Sequence, residues 1–157
     1  MDVYVLLKYL HVIGAALLFG TGLGTAFHGW MAHRSGDRAA IAVVGRSVVL
    51  ADWLFTAPAV VVQPATGVAM AWWSGTPLTS SWLLVSMVLY LLVGACWLPV
   101  VWLQIRMHAL ARTAVRTGEP LPPRYFAYSR IWFALGWPAF VAVLTIFYLM
   151  IAKPELW

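Results

Sequence analysis

Charged residues and cysteine are scarce in this sequence. Of its 157 residues, 10% are charged, five are acidic and one is a cysteine, Cys96. A single cysteine excludes a disulfide framework and a cysteine-based metal site. Five acidic residues, mostly in loops and near the termini, cannot build a paired-carboxylate site. The motifs of phosphate-binding loops, His-Glu-x-x-His zinc peptidases and Gly-x-Ser-x-Gly hydrolases are also absent. The sequence therefore does not indicate a nucleotide-binding enzyme, a zinc peptidase, a serine hydrolase or an enzyme with paired catalytic carboxylates.

The apolar composition indicates an integral membrane protein. Hydrophobic residues make up 63% of the chain, and the mean hydropathy is +0.86. Ten tryptophans suit a chain with two membrane interfaces. The first residues lack a basic leader and a small-residue cleavage site, so we expect a retained first helix. We therefore expect the lipid bilayer as a partner. The net charge of +5 comes from arginines in two short loops, which membrane topology explains better than nucleic acid.

Four apolar segments are long enough to cross a bilayer, since about 20 apolar residues are needed. They cover residues 3–29, 47–73, 81–105 and 129–152. The sequence thus predicts an all-α fold, an integral membrane four-helix bundle, with residues 1–157 as a single domain. Arginines cluster in the loops at 28–46 and 106–130 and are absent from the turn at 74–80. Because basic loops stay in the cytoplasm, we expect a multi-pass protein of the bacterial inner membrane with both termini periplasmic.

A histidine lies inside the first apolar segment. Ionisable groups are expensive in hydrocarbon, so His11 is a candidate functional residue. Gly14 and Gly22 lie on roughly the same helical face, which leaves room for a flat group or for a closely packed helix. A neutral imidazole beside such a space could ligate haem iron, which makes haem b a candidate cofactor.

Sequence position gives the depth of polar residues in antiparallel helices, at about 1.5 Å per residue. This places Gln63, Met87 and Tyr90 near the depth of His11, and Met70 lies on the same face of the second segment as Gln63. The predicted outer-half site therefore consists of His11, Gln63, Met70, Met87 and Tyr90. A second polar cluster is predicted near the cytoplasmic side, and it contains Asp52, Gln104 and Arg130.

Simpler interpretations remain open for these residues. His11 can be hydrogen-bonded to a helix carbonyl or to Tyr90, and the small residues beside it can be a helix-packing face. Asp52 and Arg130 can form a structural ion pair that locks the bundle. The remaining histidines lie at helix ends among arginines and are expected at the interface. They are His28, His33 and His108.

Five segments resemble a family of four-helix bacterial membrane proteins, domain of unknown function 2269. The segments are Lys8–Gly14, Ala51–Pro58, Gln63–Gly67, Cys96–Gln104, and Ile131–Pro138 continuing to Lys153-Pro154. The resemblance runs essentially end to end, and it implies a membrane bundle without implying a function.

A weaker resemblance is to the HemJ-type protoporphyrinogen oxidases, which are four-helix haem-b membrane proteins. It rests on Lys8-x-Leu-His11-x-Ile, Arg130, Pro138 and the closing Lys153-Pro154. It implies that His11 is a haem ligand and that Arg130 contacts a propionate or forms an internal ion pair. The chain departs from these oxidases at Gly94–Trp97, where they carry a histidine, and at Gly136-Trp137, where they carry Asn-Glu.

The leading hypothesis is an inner-membrane haem-b protein with His11 as axial ligand. Met87, Met70 or Tyr90 would fill the sixth position, and the haem would exchange electrons with a quinone or a tetrapyrrole such as a porphyrin. Asp52, Gln104 and Arg130 would hold the bundle or move protons. Two alternatives are an accessory subunit of a larger membrane complex and a small transporter or metal-handling protein. A homo-oligomer through Gly20 and Gly24 is also possible.

Overall fold

The computed structural model describes residues 2–157, and its regular elements in that range are all helical. The helices are α1 (Val3–Ser35), α2 (Arg38–Ala51), a π-helical turn (Asp52–Thr56), α3 (Ala57–Trp73), α4 (Ser81–Thr117) and α5 (Pro123–Ala152). Because α2, the π turn and α3 run on as one helix, the chain has four helices long and apolar enough to span a membrane. The predicted all-α membrane bundle is confirmed.

The helices continue past the apolar segments at the arginine-rich end. Backbone hydrogen bonds sustain a helix without apolar side chains, so α1 and α4 end only where glycines adopt positive φ. These are Gly36 (φ 68°) and Gly118 (φ 74°). Asp37 then caps α2 by accepting from the Ala39 N–H at 2.8 Å. A two-residue turn is therefore enough to reverse the chain between α1 and α2.

The main buried core lies at this arginine-rich end. Four helices each contribute one side chain to it: Ala32, Ile41, Ala111 and Tyr125. The two arginine-rich loops are tied together here, because Arg38 Nη1 donates to the carbonyls of Gly118 and Glu119 at 2.6 Å each. All four spanning helices are thus in contact at this end of the bundle.

Towards the other end the helices separate into two pairs. Helix α1 packs along α3, helix α4 packs along α5, and α2 joins the pairs by packing on α4 and α1. Two side-chain bridges also cross the space between the pairs. Phe19 of α1 packs on Phe140 and Phe147 of α5, with ring centroids 5.6 and 5.4 Å apart. Tyr90 of α4 reaches α3.

The Tyr90 bridge repairs a break in the α3 hydrogen bonds. Pro64 has no N–H, so the carbonyl of Val60, four residues earlier, loses its helical donor. The Tyr90 hydroxyl donates to that carbonyl at 2.7 Å. An unpaired carbonyl in hydrocarbon is costly, so the Tyr90 hydroxyl removes the free-energy cost that Pro64 creates at Val60.

Tyr90→Phe is expected to lower the free energy of unfolding by about 1 kcal/mol, the size of an interhelical hydrogen bond in a membrane. In the background of Pro64→Ala the same change should have a smaller effect, because the substituted alanine supplies the missing N–H. Unfolding in mixed detergent micelles, followed by circular dichroism, measures both. Equal effects in the two backgrounds would show that Tyr90 does not compensate for Pro64.

Candidate functional site

His11 is held between α1 and α3 by both ring nitrogens. Nδ1 lies 2.9 Å from Thr66 Oγ1, and Nε2 lies 3.1 Å from Gln63 Nε2. The Thr66 hydroxyl donates to the Val62 carbonyl at 2.7 Å, so its oxygen is left to accept from the ring. Nδ1 therefore carries the proton and Nε2 accepts from the Gln63 amide. A neutral imidazole in this tautomer satisfies each of these contacts.

Two glycines let α1 and α3 approach around this imidazole. A Cβ on Gly67 would lie 3.2 Å from His11 Cε1, and a Cβ on Gly14 would lie 2.6 Å from Gln63 Oε1. The small-residue face of α1 thus packs against α3 at Gly14. Further along the same helix, Gly22 and Thr25 line the space between the helix pairs. The small-residue face of α1 therefore packs against α3 in one part and lines an open space in another, so both interpretations of this face apply.

A cavity of about 380 Å³ occupies the space between the two helix pairs. Every spanning helix contributes to its wall, which is mostly apolar. The polar groups facing it include Gln63 and Tyr90 towards the end that carries the termini, and Asp52, Thr56 and Gln104 towards the arginine-rich end. Trp97 also lines the cavity; its buried indole N–H lies close to the Asp52 carboxylate but forms no hydrogen bond of good geometry among the described residues.

The predicted outer-half site is brought together only in part. His11 and Gln63 are in contact, as the depth argument predicts, and Thr66 joins them. The Tyr90 hydroxyl is engaged by Val60 and not by His11. Met87 is 41% exposed on the outside of the bundle, and neither it nor Met70 lines the cavity.

This arrangement does not fit a haem on His11. Both ring nitrogens are already engaged, and His11 does not line the cavity that could take a flat group. An axial ligand needs a nitrogen lone pair aimed at the iron, and here that lone pair accepts from Gln63. Among the described residues no three His, Cys, Asp or Glu side chains form a metal-binding group.

The second predicted polar cluster, at the arginine-rich end, forms with a different third member. Thr56 Oγ1 donates to Asp52 Oδ1 at 2.9 Å. With its amide oriented to satisfy both neighbours, Gln104 donates to Asp52 Oδ2 at 2.5 Å and accepts from Trp132 Nε1 at 3.2 Å. The chain of groups Thr56–Asp52–Gln104–Trp132 thus links the π turn, α4 and α5. Asp52 and Thr56 also begin and end the π turn, a feature that often marks functional positions.

Arg130 is not part of this cluster. It is exposed, and no ion pair or hydrogen bond joins it to Asp52 or Gln104 in the described chain. The amide and the hydroxyl satisfy the carboxylate instead, so the predicted bundle-locking ion pair is absent. Arg130 lines a second cavity, beyond Gln104.

Sequence reasoning missed Thr66, Trp97 and Trp132. Thr66 follows Gln63 by three residues, so helical spacing placed it on the same face and could have revealed it. The two tryptophans gave no such signal, because ten tryptophans are present and the membrane interface explains any one of them equally well.

Comparison with known proteins identifies the family but adds no function. No curated protein and no solved structure matches the chain. The family model described as "Predicted integral membrane protein (DUF2269)" matches residues 5–154, which is nearly the whole chain. The four spanning helices agree with that description. The chain belongs to the DUF2269 family of predicted integral membrane proteins.

Proposed function

We propose that this protein binds a lipid-soluble molecule with an oxygen-bearing head group, such as an isoprenoid quinone, in the cavity between its two helix pairs. The single observation that carries the proposal is the Trp97 indole N–H, which is buried in the wall of an apolar cavity, close to the Asp52 carboxylate, and forms no hydrogen bond of good geometry among the described residues. A buried donor left unpaired costs about 1–3 kcal/mol. A carbonyl or hydroxyl oxygen of a bound head group would remove that cost.

The cavity has more polar groups available at one end than at the other. Asp52 and Gln104 lie at its arginine-rich end. The other end carries the aromatic cluster of Phe19, Phe140 and Phe147, and there the Tyr90 hydroxyl and the Gln63 amide already donate to Val60 and His11. A head group would therefore lie near Trp97 and Gln104, and an isoprenoid tail would extend along the apolar walls. Ligand pockets usually combine apolar walls with a few placed polar groups in this way.

Entry from the bilayer is supported by the open sides of the cavity. Gly136 and Trp137 line it and are also exposed on the surface of the bundle. Because that surface faces lipid, a membrane-dissolved ligand reaches the cavity without crossing water. We also propose the bacterial inner membrane, with periplasmic termini, because the arginines cluster at the opposite end of the bundle and basic loops stay in the cytoplasm. Stacking on aromatic rings occurs at both ends, as in Arg34–Trp30 and Lys153–Trp82, and suits two membrane interfaces.

Haem ligation by His11 is not part of this proposal. The imidazole connects α1 to α3, and the proposed ligand uses a cavity that His11 does not line. Electron exchange by a resident haem b therefore remains a prediction from sequence, and it requires Gln63 to leave Nε2.

Gly94→Leu is expected to weaken the binding of decylubiquinone to the purified protein. Gly94 lines the cavity, and a Cβ there meets no atom within 4 Å, so a larger side chain can enter the space without a backbone clash. Quenching of intrinsic tryptophan fluorescence reports binding, because Trp97 and Trp132 face the cavity. We expect saturable quenching by the wild type and at least about a tenfold weaker affinity in the variant, since that corresponds to about 1.4 kcal/mol.

Gly20→Leu is the matched control. Gly20 also has open space around its Cβ position, but it is exposed and does not line the cavity. The Gly20→Leu variant should bind decylubiquinone with the affinity of the wild type. Non-saturable quenching that is the same in all three proteins would mean simple partitioning into detergent and would refute the proposal.

A further inference from the structure

A second cavity lies at the arginine-rich end, outside the space assigned to the lipid-soluble ligand. It measures about 290 Å³ and lies among the ends of α1, α2, α4 and α5. Gln104 and Trp132 line both cavities, so their hydrogen-bonded side chains form the wall between them. This second space therefore has its own lining and its own chemistry.

Its polar lining is basic. Arg130, His33 and His108 face the cavity, and no carboxylate lines it in the described chain. The nearest acidic group of the bundle interior, Asp52, lies behind Gln104 and is already bonded to that amide. A cavity with basic walls and no counter-charge attracts an anion.

The basic groups retain unused hydrogen-bonding atoms. His108 directs Nδ1 to the Ala42 carbonyl at 3.2 Å, and His33 Nδ1 lies 3.4 Å from the hydroxyls of Tyr125 and Ser129. In the described chain, neither Nε2 nor the Arg130 guanidinium has a protein partner. Arg130, His33 and His108 thus offer hydrogen-bonding atoms for which the folded chain provides no use.

Arg130 also differs from the other arginines at this end. Three of them stack on aromatic rings, and Arg38 donates to two loop carbonyls. The remaining three are exposed and line neither cavity: Arg46, Arg112 and Arg116. Positioning in the membrane interface therefore accounts for the other arginines without a ligand, but it does not explain why Arg130 faces a cavity.

We propose that this second cavity binds a phosphate group, with Arg130 as its main ligand and His33 and His108 beside it. Arginine matches the planar, bidentate geometry of phosphate oxygens. The apolar part of the lining includes Ile41, Val44 and Phe133, which suits the apolar chain next to a lipid phosphate. The bound group is either a lipid head group at the cytoplasmic leaflet or free phosphate from the aqueous side. This site does not depend on the proposed quinone cavity.

Isothermal titration calorimetry of the protein in neutral detergent tests the proposal with two probes, inorganic phosphate and dioctanoyl phosphatidic acid. At least one should bind saturably, and Arg130→Gln should weaken that binding at least about tenfold, because a charge-assisted hydrogen bond is lost. Arg112→Gln removes the same charge from an exposed position of α4 that lines neither cavity, so its affinity should match that of the wild type.

A second variant, His108→Asn, keeps an amide donor near the Ala42 carbonyl and removes Nε2, so it should weaken binding several-fold. Binding of inorganic phosphate would identify a soluble anion as the ligand, whereas binding of the lipid alone would identify a head-group site. No saturable binding of either probe would overturn the proposal. So would equal affinities in Arg130→Gln and Arg112→Gln, because the effect of charge would then be unspecific.

Discussion

Gln104→Leu should be among the most destabilising single substitutions in this protein, with a loss of about 2–3 kcal/mol in the free energy of unfolding. Gln104 is buried, and its amide connects the Asp52 carboxylate of the π turn to the Trp132 indole of α5. Leucine of similar size removes both hydrogen bonds at once. Asp52 would keep the Thr56 hydroxyl and the nearby Trp97 indole, in surroundings where water does not replace the missing amide donor.

The double variant Asp52→Leu/Gln104→Leu tests that explanation. Replacing both partners by apolar groups removes the unpaired carboxylate, so the double variant should be more stable than Gln104→Leu alone. Asp52→Asn should have a small effect, because its amide oxygen can accept from Gln104 while its amide N–H donates to the Thr56 hydroxyl. Reversible unfolding in mixed micelles measures these three variants and the single variant Asp52→Leu. If the double variant loses the sum of the two single effects, Asp52 and Gln104 are not coupled.

His11→Ala should weaken the pairing of α1 with α3, with a loss of about 2 kcal/mol in unfolding free energy. The change leaves the Gln63 amide without its acceptor and opens a void against Gly67. No Soret band that depends on His11 is expected in the wild type after expression with ample haem, because both ring nitrogens are engaged. A Soret band that is lost in His11→Ala would restore the haem hypothesis.

A glycine pair provides an independent test of the α1–α3 contact. Gly14→Ala places a Cβ 2.6 Å from Gln63 Oε1, so the amide must move and stability should fall. Gly20→Ala has open space and should be neutral or stabilising, since alanine favours a helix over glycine by about 1 kcal/mol. A loss of stability in Gly14→Ala that persists in the His11→Ala background would show that the clash, and not the hydrogen bond, is responsible.

Sequence alone was sufficient for the fold because hydropathy is a local property. Each spanning helix is visible as an apolar run, but the predicted segments stop short at the arginine-rich end, where the helices continue to the caps at Gly36, Asp37 and Gly118. The depth rule also paired His11 with Gln63 and Asp52 with Gln104 correctly, because antiparallel helices fix the height of each residue.

The sequence did not predict how each helix is rotated about its own axis. Lipid and protein neighbours are both apolar, so periodicity does not show which face is buried. Met87 shares the depth of His11 yet faces outwards, and Arg130 shares the depth of Asp52 yet faces the other cavity. Tyr90 was placed near His11, but the partner of its hydroxyl depends on the carbonyl that Pro64 frees on a neighbouring helix.

The most direct test of the ligand cavity is photolabelling of the protein in lipid nanodiscs with an azidoquinone, followed by mass spectrometry of the labelled peptides. The account predicts saturable labelling around 93–104 and 132–143, where α4 and α5 line the cavity, and competition by unlabelled quinone. Labelling spread over lipid-facing positions such as Leu91 (72% exposed) and Ile151 (85% exposed), without competition, would contradict it.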